Sequence, residues 1–183
     1  MTGMLVSAAV SGCSTAERSV APEPESSVDS SETGTWLRVV GAWPERVTLP
    51  TAGTVDCTRH SSDHGYGYRA FDARTSDFTE YDAGGERPGH DFDVSVYIPN
   101  ADNDTDNTDG SSSSHVMVQF SDPQGRFFRL TGSGTDDATI TPSPDGTSVS
   151  FEVTGSATSI DADPLLVRAA GRIHCDAVTE QTY

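Results

Sequence analysis

Lysine is absent from this chain of 183 residues, and all eleven basic residues are arginine. The chain has 28 acidic residues and a formal net charge of −17. A surface of this sign repels phosphate backbones and anionic lipid headgroups. We therefore expect no nucleic-acid partner and no docking on a membrane through a basic patch.

Long apolar and helical segments are also missing. No apolar run approaches the roughly 20 residues that a membrane-spanning helix needs. No stretch longer than about ten residues has the periodicity of an amphipathic helix. With 17 glycines and 10 prolines, this composition favours many short strands joined by turns.

Motifs for common catalytic chemistry are lacking as well. The chain contains no Gly-x-Ser-x-Gly sequence for a nucleophilic serine and no glycine-rich phosphate loop. We therefore expect a protein that is not an enzyme and that carries no cofactor.

What the chain does have is apolar residues in alternation with polar ones, the pattern of strands with one dry face. The alternating apolar positions are Phe92, Val94, Val96 and Ile98; Val116, Val118 and Phe120; and Val149, Phe151 and Val153. Turn sequences at Asp122-Pro123-Gln124-Gly125 and Pro144-Asp145-Gly146 predict two hairpins. The pattern predicts an all-β fold for residues 36–183, an antiparallel β-sandwich or open barrel of about seven to nine short strands.

The chain has three cysteines, Cys13, Cys57 and Cys175. Cys57 shares the dry face of its strand with Val55. Cys175 ends a predicted last strand from Leu165, in which it shares a face with Val167, Ala169 and Ile173. Two inward cysteines near the ends of one domain predict a disulfide, worth on the order of 4–5 kcal/mol for so long a loop. Two free buried thiols are the alternative for a cytosolic chain.

The remaining cysteine follows a short apolar run, Met4 to Val10. Val10-Ser11-Gly12-Cys13 resembles the bacterial lipobox, so we expect residues 1–12 to be a lipoprotein signal peptide and Cys13 to be acylated. Met1-Thr2-Gly3 carries no basic residue, and we expect this leader to be truncated at its start. A cytosolic protein with an accidental match is the alternative.

Residues 13–35 comprise the acylated cysteine and an acidic Ser/Pro/Glu tether. A segment of this composition has too little apolar area to fold, so we expect disorder. The lipid bilayer would be the partner of Cys13. The body would lie at the outer face of the cell membrane, anchored by lipid in the cell envelope.

Three segments carry a family resemblance: Val55-Asp56-Cys57-Thr58, the strand Phe151 to Thr158 that ends in Thr-Gly-Ser-Ala-Thr, and a terminal strand closing on Cys175. Together with the lipobox and tether, they resemble the LpqH-type lipoprotein antigens of actinobacteria, over roughly Val47 to Cys175. The resemblance implies a surface-exposed, acylated, non-enzymatic protein whose acyl group engages innate immune receptors and whose domain has been discussed as an adhesin. An insertion at residues 100–114 and aromatic segments at Tyr66–Tyr81 depart from the family pattern.

Two weaker metal sites were weighed. Asp102, Asp104 and Asp106 offer the alternating carboxylates that Ca²⁺ prefers, but Asn107 and Ser113 stand where a calcium loop needs Gly and Glu. We expect a solvated loop there. A zinc site has its candidates at His60, Asp63, His64, His90 and Asp91. We expect the three histidines to be surface residues, with no metal bound.

The aromatic residues of the first half have two interpretations. They are Trp36, Trp43, Tyr66, Tyr68, Phe71, Phe78 and Tyr81. Core packing is the simpler explanation for most of them, and a glycan or lipid groove is the alternative. The function we expect is a displayed envelope lipoprotein that acts in surface interaction or antigenicity, its protein or envelope-glycan partner unknown. The alternative is an envelope module that binds a small apolar or glycan ligand.

Overall fold

The computed structural model describes residues 34–61, 67–75, 90–100, 113–134 and 137–182. The predicted leader, Cys13 and nearly all of the tether lie outside these ranges. So do the calcium candidates Asp102, Asp104 and Asp106, and the zinc candidates Asp63 and His64. Contacts group Thr33–Tyr183 into one compact unit.

Two sheets make up the described part of the chain. The five-stranded sheet consists of β1 (Trp36–Val40), β2 (Val47–Thr48), β8 (Ala138–Pro142), β9 (Ser148–Ala157) and β10 (Leu165–His174). Its spatial order is β2-β1-β10-β9-β8, and every neighbouring pair is antiparallel.

The six-stranded sheet consists of β3 (Thr54–Ser61), β4 (Gly67–Arg74), β5 (Phe92–Pro99), β6 (His115–Ser121), β7 (Phe127–Ser133) and β11 (Thr179–Thr182). Its order is β11-β3-β4-β5-β6-β7. All pairs are antiparallel except β11 with β3, which is parallel.

The core lies between the inner faces of the two sheets. Phe92, Val94 and Val96 of β5 are each 1% exposed, and they alternate with half-buried residues of the outer face. Val149, Phe151 and Val153 of β9 supply the opposing layer. This one-sided burial on both sheets is the predicted alternation, and it defines the fold as an all-β sandwich.

Two links join the sheets across the core. The Cys57–Cys175 disulfide connects β3 of the six-stranded sheet to the residue that follows β10 of the five-stranded sheet. Trp43, in the loop after β1, donates its indole N–H to the carbonyl oxygen of Ser121 at 2.8 Å. The disulfide confirms the predicted pairing.

Both predicted hairpins are confirmed. Asp122 to Gly125 join the antiparallel strands β6 and β7, and Pro144 to Gly146 join β8 and β9. Gly125 and Gly146 have φ values of 77° and 74°, the left-handed conformation that glycine adopts at little cost. Each turn closes with a backbone hydrogen bond from its glycine, to Asp122 and to Ser143.

The strand count is higher than predicted. Eleven strands are present in the described residues instead of about seven to nine. The strand that ends beside Cys175 is not the last, because β11 follows it and pairs with β3. β11 has four exposed residues and no apolar alternation. Its sequence therefore does not predict a strand. It is a strand because it pairs with β3.

Candidate functional site

Four aromatic side chains form a stacked row across the outer face of the six-stranded sheet. We call His60, Tyr68, Tyr97 and His115 the aromatic row. The ring centroids lie 4.1 Å apart for His60 and Tyr68, 4.6 Å for Tyr68 and Tyr97, and 4.8 Å for Tyr97 and His115. Interplanar angles of 24°, 34° and 21° place the rings nearly face to face. Tyr68 and Tyr97 therefore have a ring on each face, and the row presents to solvent its ring edges and two hydroxyl groups.

Strand register explains why these four rings meet. His60 is paired directly with Tyr68, and Tyr97 directly with His115. Tyr97 is paired with Ala70 of β4. Because Ala70 is small, the side chain of Tyr68, two residues earlier on the same face of β4, can reach Tyr97 diagonally. Neighbouring side chains on one face of a sheet lie about 5 Å apart, close to the stacking distance of aromatic rings.

The Tyr97 hydroxyl keeps its proton in this setting. Partial burial in the row, and then the neighbouring Tyr68, raise the pKa of Tyr97 above its ordinary value of 10.0. Tyr97 is therefore a neutral hydroxyl that can donate and accept hydrogen bonds at physiological pH.

The two ends of the aromatic row differ. Beyond His60 the next strand is β11, where Gln181 occupies the paired position. Beyond His115 the next strand is β7, where the paired residue is the small Ser133. A cleft of about 460 Å³ opens at this second end. We call it the notch; its side chains include Ser95, His115, Met117, Thr131, Ser133 and Asp137.

Polar groups surround the open ring face of His115 in the notch. The backbone of Asp137 is fixed by a 3.2 Å hydrogen bond from its N–H to the carbonyl of Ser133, and by another that its own carbonyl accepts from Thr154. The Ser133 hydroxyl donates to Ser113 at 3.2 Å. Met117 lies between Ser95 and Thr131 in the register of the sheet and supplies apolar surface.

A row of acidic and hydroxyl groups runs beside the aromatic row. Asp56 is paired with Asp72, and Asp72 with Ser95, on the same outer face. The Ser95 hydroxyl donates to Asp72 Oδ1 at 2.5 Å. Burial raises the pKa of Asp72, and the negative charge of Asp56 adds to this, against the opposing effects of the Ser95 hydrogen bond and Arg74.

A second cleft adjoins the notch at Thr131 and Asp137. It has a volume of about 360 Å³ and lies between β7 and β9. Arg129 and Thr158 are joined there by two backbone hydrogen bonds of 2.8 and 2.9 Å, so the sheets meet at this corner. The backbone of Asp137 bridges Ser133 and Thr154, and the cleft opens between these two connections.

The described zinc candidates lie apart from one another. His60 stands at one end of the six-stranded sheet, next to Tyr68, whereas His90 and Asp91 precede the opposite end of β5. The eight residues of β5 separate these ends by about 25 Å. In the described ranges no group of three or more metal-binding side chains comes together.

His90 does not fit the expectation of a surface histidine. Its ring packs edge-on against Trp43 at 5.6 Å, and its Nε2 atom is buried. Its φ of 106° is a conformation that residues other than glycine rarely adopt. Neighbouring Asp91 is also buried, and its carboxylate accepts a 3.2 Å hydrogen bond from the Thr75 hydroxyl.

The aromatic residues of the first half divide between core and surface. Trp36, Trp43 and Phe71 are buried, at 9%, 5% and 1% exposure, as core packing predicts. Tyr68 belongs to the aromatic row instead. Tyr66, Phe78 and Tyr81, which we considered as the edge of a groove, lie outside the described residues.

Sequence reasoning identified His60 and Tyr68 separately and missed the site that they form. The alternation in β5 and β6 placed Tyr97 and His115 on the wet faces of their strands. A long connection separates these two strands in the sequence, so the sequence did not fix their register or indicate which outer residues meet.

Comparison with protein-family models, curated proteins and solved structures finds no match for this chain. Among the described residues, no helix has the length and apolar character needed to cross a membrane. The Cys57–Cys175 disulfide and the chemistry of the outer face are therefore the basis for a functional proposal.

Proposed function

We propose that the chain is an envelope lipoprotein of the LpqH type, anchored by acylated Cys13 and displayed at the outer face of the cell membrane. The observation that carries this proposal is the Cys57–Cys175 disulfide. It accounts for two of the three cysteines within the body, so Cys13 is the cysteine outside this bond. The bond also suits an exported protein, because disulfides persist in oxidising compartments.

The body of this lipoprotein acts by interaction and not by catalysis. The outer face of the six-stranded sheet is the contact surface, since its inner face is occupied by the core. Stacked aromatic rings beside hydroxyl and carboxylate groups suit recognition of a partner, because aromatic side chains dominate the energetics of binding surfaces.

The anchor is tested by fractionating cells that express Cys13→Ala from its own locus. We expect the wild-type chain in the membrane fraction, labelled by an alkyne fatty acid. Cys13→Ala is expected in the medium or the soluble fraction, without label, because acylation is the sole anchor. The double variant Cys57→Ala/Cys175→Ala is the matched control and is expected to stay membrane-bound and labelled. Retention of Cys13→Ala in the membrane fraction contradicts the proposal.

A second candidate function is an envelope module that binds a small apolar or glycan ligand. The aromatic row and the notch at its end favour this candidate. Co-sedimentation of the full chain with purified envelope polysaccharide tests it. A chain that stays in the supernatant at every polysaccharide concentration contradicts it and leaves the anchoring proposal standing.

A further inference from the structure

The aromatic row ends at His115 with one ring face open. Tyr97 covers one face of this imidazole at 4.8 Å. In the part of the chain that the structure describes, this is the sole ring contact of His115. On the other side the paired residue is Ser133, whose side chain is too small to continue the stack. His115 itself is exposed.

The notch provides the space for one more ring. Its volume of about 460 Å³ falls within the range of roughly 300–1,000 Å³ that is usual for small-molecule sites. A ring over Ser133 would lie one strand spacing from His115, about 4.8 Å. This repeats the spacing that the four rings of the aromatic row already show.

We propose that the notch binds one uncharged sugar ring of an envelope glycan, stacked on His115. This proposal rests on the binding-module function above and is independent of the acylation of Cys13. A pyranose has an apolar C–H face that suits an aromatic ring and a rim of hydroxyl groups that need hydrogen-bond partners. The notch offers both kinds of surface on adjoining walls.

The hydrogen-bonding groups around the notch suit a hydroxyl rim. Asp137 is exposed, and its carboxylate accepts hydrogen bonds, which sugar hydroxyls donate. The Thr131 hydroxyl donates or accepts. Within the described residues neither side chain has a hydrogen bond of its own. A phenylalanine side chain of a peptide in the same place would desolvate Asp137 and return no hydrogen bond, and a tyrosine would return one where a sugar rim can return several.

Charge selects among sugars. The net charge of −17 and the carboxylate of Asp137 in the notch both oppose an anionic ligand. An acidic sugar such as a glucuronide is therefore expected to bind more weakly than its uncharged counterpart. The site takes a neutral pyranose.

Methionine methyl groups give a direct readout in the full chain. The chain has three methionines, Met1, Met4 and Met117, and Met117 lines the notch. With ¹³C-methyl-methionine labelling, the probes are the methyl glycosides of glucose, mannose and galactose, with methyl glucuronide and N-acetyltyrosinamide for comparison. We expect the Met117 signal to shift with at least one neutral glycoside, with a dissociation constant on the order of 1 mM.

One variant in the notch and one remote from it locate the site. His115→Ala removes the stacking face and is expected to weaken binding about tenfold or more. Leu166→Ala, at an exposed position of β10 in the five-stranded sheet, is expected to leave the affinity unchanged. Thr131→Val, at an exposed position, is expected to weaken binding through loss of one hydroxyl.

A filled notch provides a test that does not depend on deleting a ring. Ser133→Tyr supplies a fifth ring from the protein itself and is expected to abolish glycoside binding while the Met117 signal stays dispersed as in a folded chain. The proposal is overturned if none of the three neutral glycosides shifts the Met117 signal. It is equally overturned if His115→Ala binds as wild type, or if the glucuronide or the tyrosine derivative binds more tightly than every neutral glycoside. Cys13→Ala is expected to bind as wild type, which separates this test from the anchoring proposal.

Discussion

The indole N–H of Trp43 donates a 2.8 Å hydrogen bond to the carbonyl oxygen of Ser121, 78 positions further along the chain. Trp43 follows β1 of the five-stranded sheet, and Ser121 is the last residue of β6 in the six-stranded sheet. Both residues are buried. The bond therefore ties the two layers together near the ring cluster of Phe92 and Phe120, which both contact Trp43.

Trp43→Phe is expected to lower the free energy of unfolding by about 1–3 kcal/mol. It leaves the buried Ser121 carbonyl without its indole donor and removes ring volume from the core. Urea denaturation measures this change. Trp36→Phe is the matched control, because the Trp36 Nε1 atom is buried with no hydrogen-bond partner in the described structure. Equal losses in the two variants would mean that the hydrogen bond contributes nothing beyond ring volume.

Loss of the disulfide is expected to cost on the order of 4–5 kcal/mol of unfolding free energy. Typical domains are stable by about 5–15 kcal/mol, so the double variant Cys57→Ala/Cys175→Ala should denature at much lower urea concentration than wild type. Cys13→Ser, which leaves this bond intact, is expected to unfold at the wild-type midpoint. Identical midpoints for wild type with and without reductant would contradict the prediction.

Asp72→Asn is expected to stabilise the chain at neutral pH. Burial and the charge of Asp56 raise the pKa of Asp72 in the folded state, so stability falls as the pH rises through the window between the unfolded and folded values. Asparagine has no charge and still accepts the hydrogen bond from Ser95. The gain should vanish below about pH 4, near the unfolded pKa, as urea midpoints across a pH series would show.

Ser95→Ala is the companion variant for Asp72. It removes the hydrogen bond that favours the ionised carboxylate, and we expect a destabilisation that is larger at neutral pH than at acid pH. If Asp72→Asn destabilises the chain at neutral pH, the hydrogen bond from Ser95 outweighs burial and the prediction is wrong.

Asp145 is expected to make the chain less stable as the pH falls, the opposite of the pH dependence expected from Asp72. Hydrogen bonds, first from the Ser143 hydroxyl and then from the backbone of Thr147, lower the pKa of Asp145 to about 2. Its contribution to stability is therefore fully present above the unfolded pKa near 4 and is lost as the pH falls toward 2. Asp145→Asn should lose less stability than wild type across this interval in a series of thermal denaturations. Asp163→Asn, at an exposed position of the loop before β10, is the control and should follow the wild-type curve.

Much of the fold could be predicted because the local alternation of apolar and polar residues indicates which side chains are buried. The inward set Phe92, Val94 and Val96 and the pairing of Cys57 with Cys175 both follow from a period of two residues. β11 could not be predicted in this way, since its four exposed residues are held by the neighbouring β3 and not by burial of their own side chains.

The candidate site was less predictable than the fold for a related reason. Alternation shows that Tyr97 and His115 face outward, but not that they meet Tyr68 and His60. That meeting depends on the register of four strands, and long connections separate β4 from β5 and β5 from β6 in the sequence. The φ of 106° at His90 and the contact of its ring with Trp43 are likewise not indicated by local alternation.

The position of the disulfide also determines how the body responds to force. Cys57 and Cys175 enclose the chain from the middle of β3 to the end of β10 in one covalent loop, so tension along the chain passes through the disulfide and bypasses that loop. A load applied from a membrane anchor at the N-terminal side would peel β1 from β10 and then stop at Cys57. The described residues ahead of Cys57 can lengthen the molecule by at most about 80 Å, after which the sheet with its aromatic row remains intact under tension. If the chain is anchored at Cys13 as proposed, the disulfide would limit how far its described body can be extended.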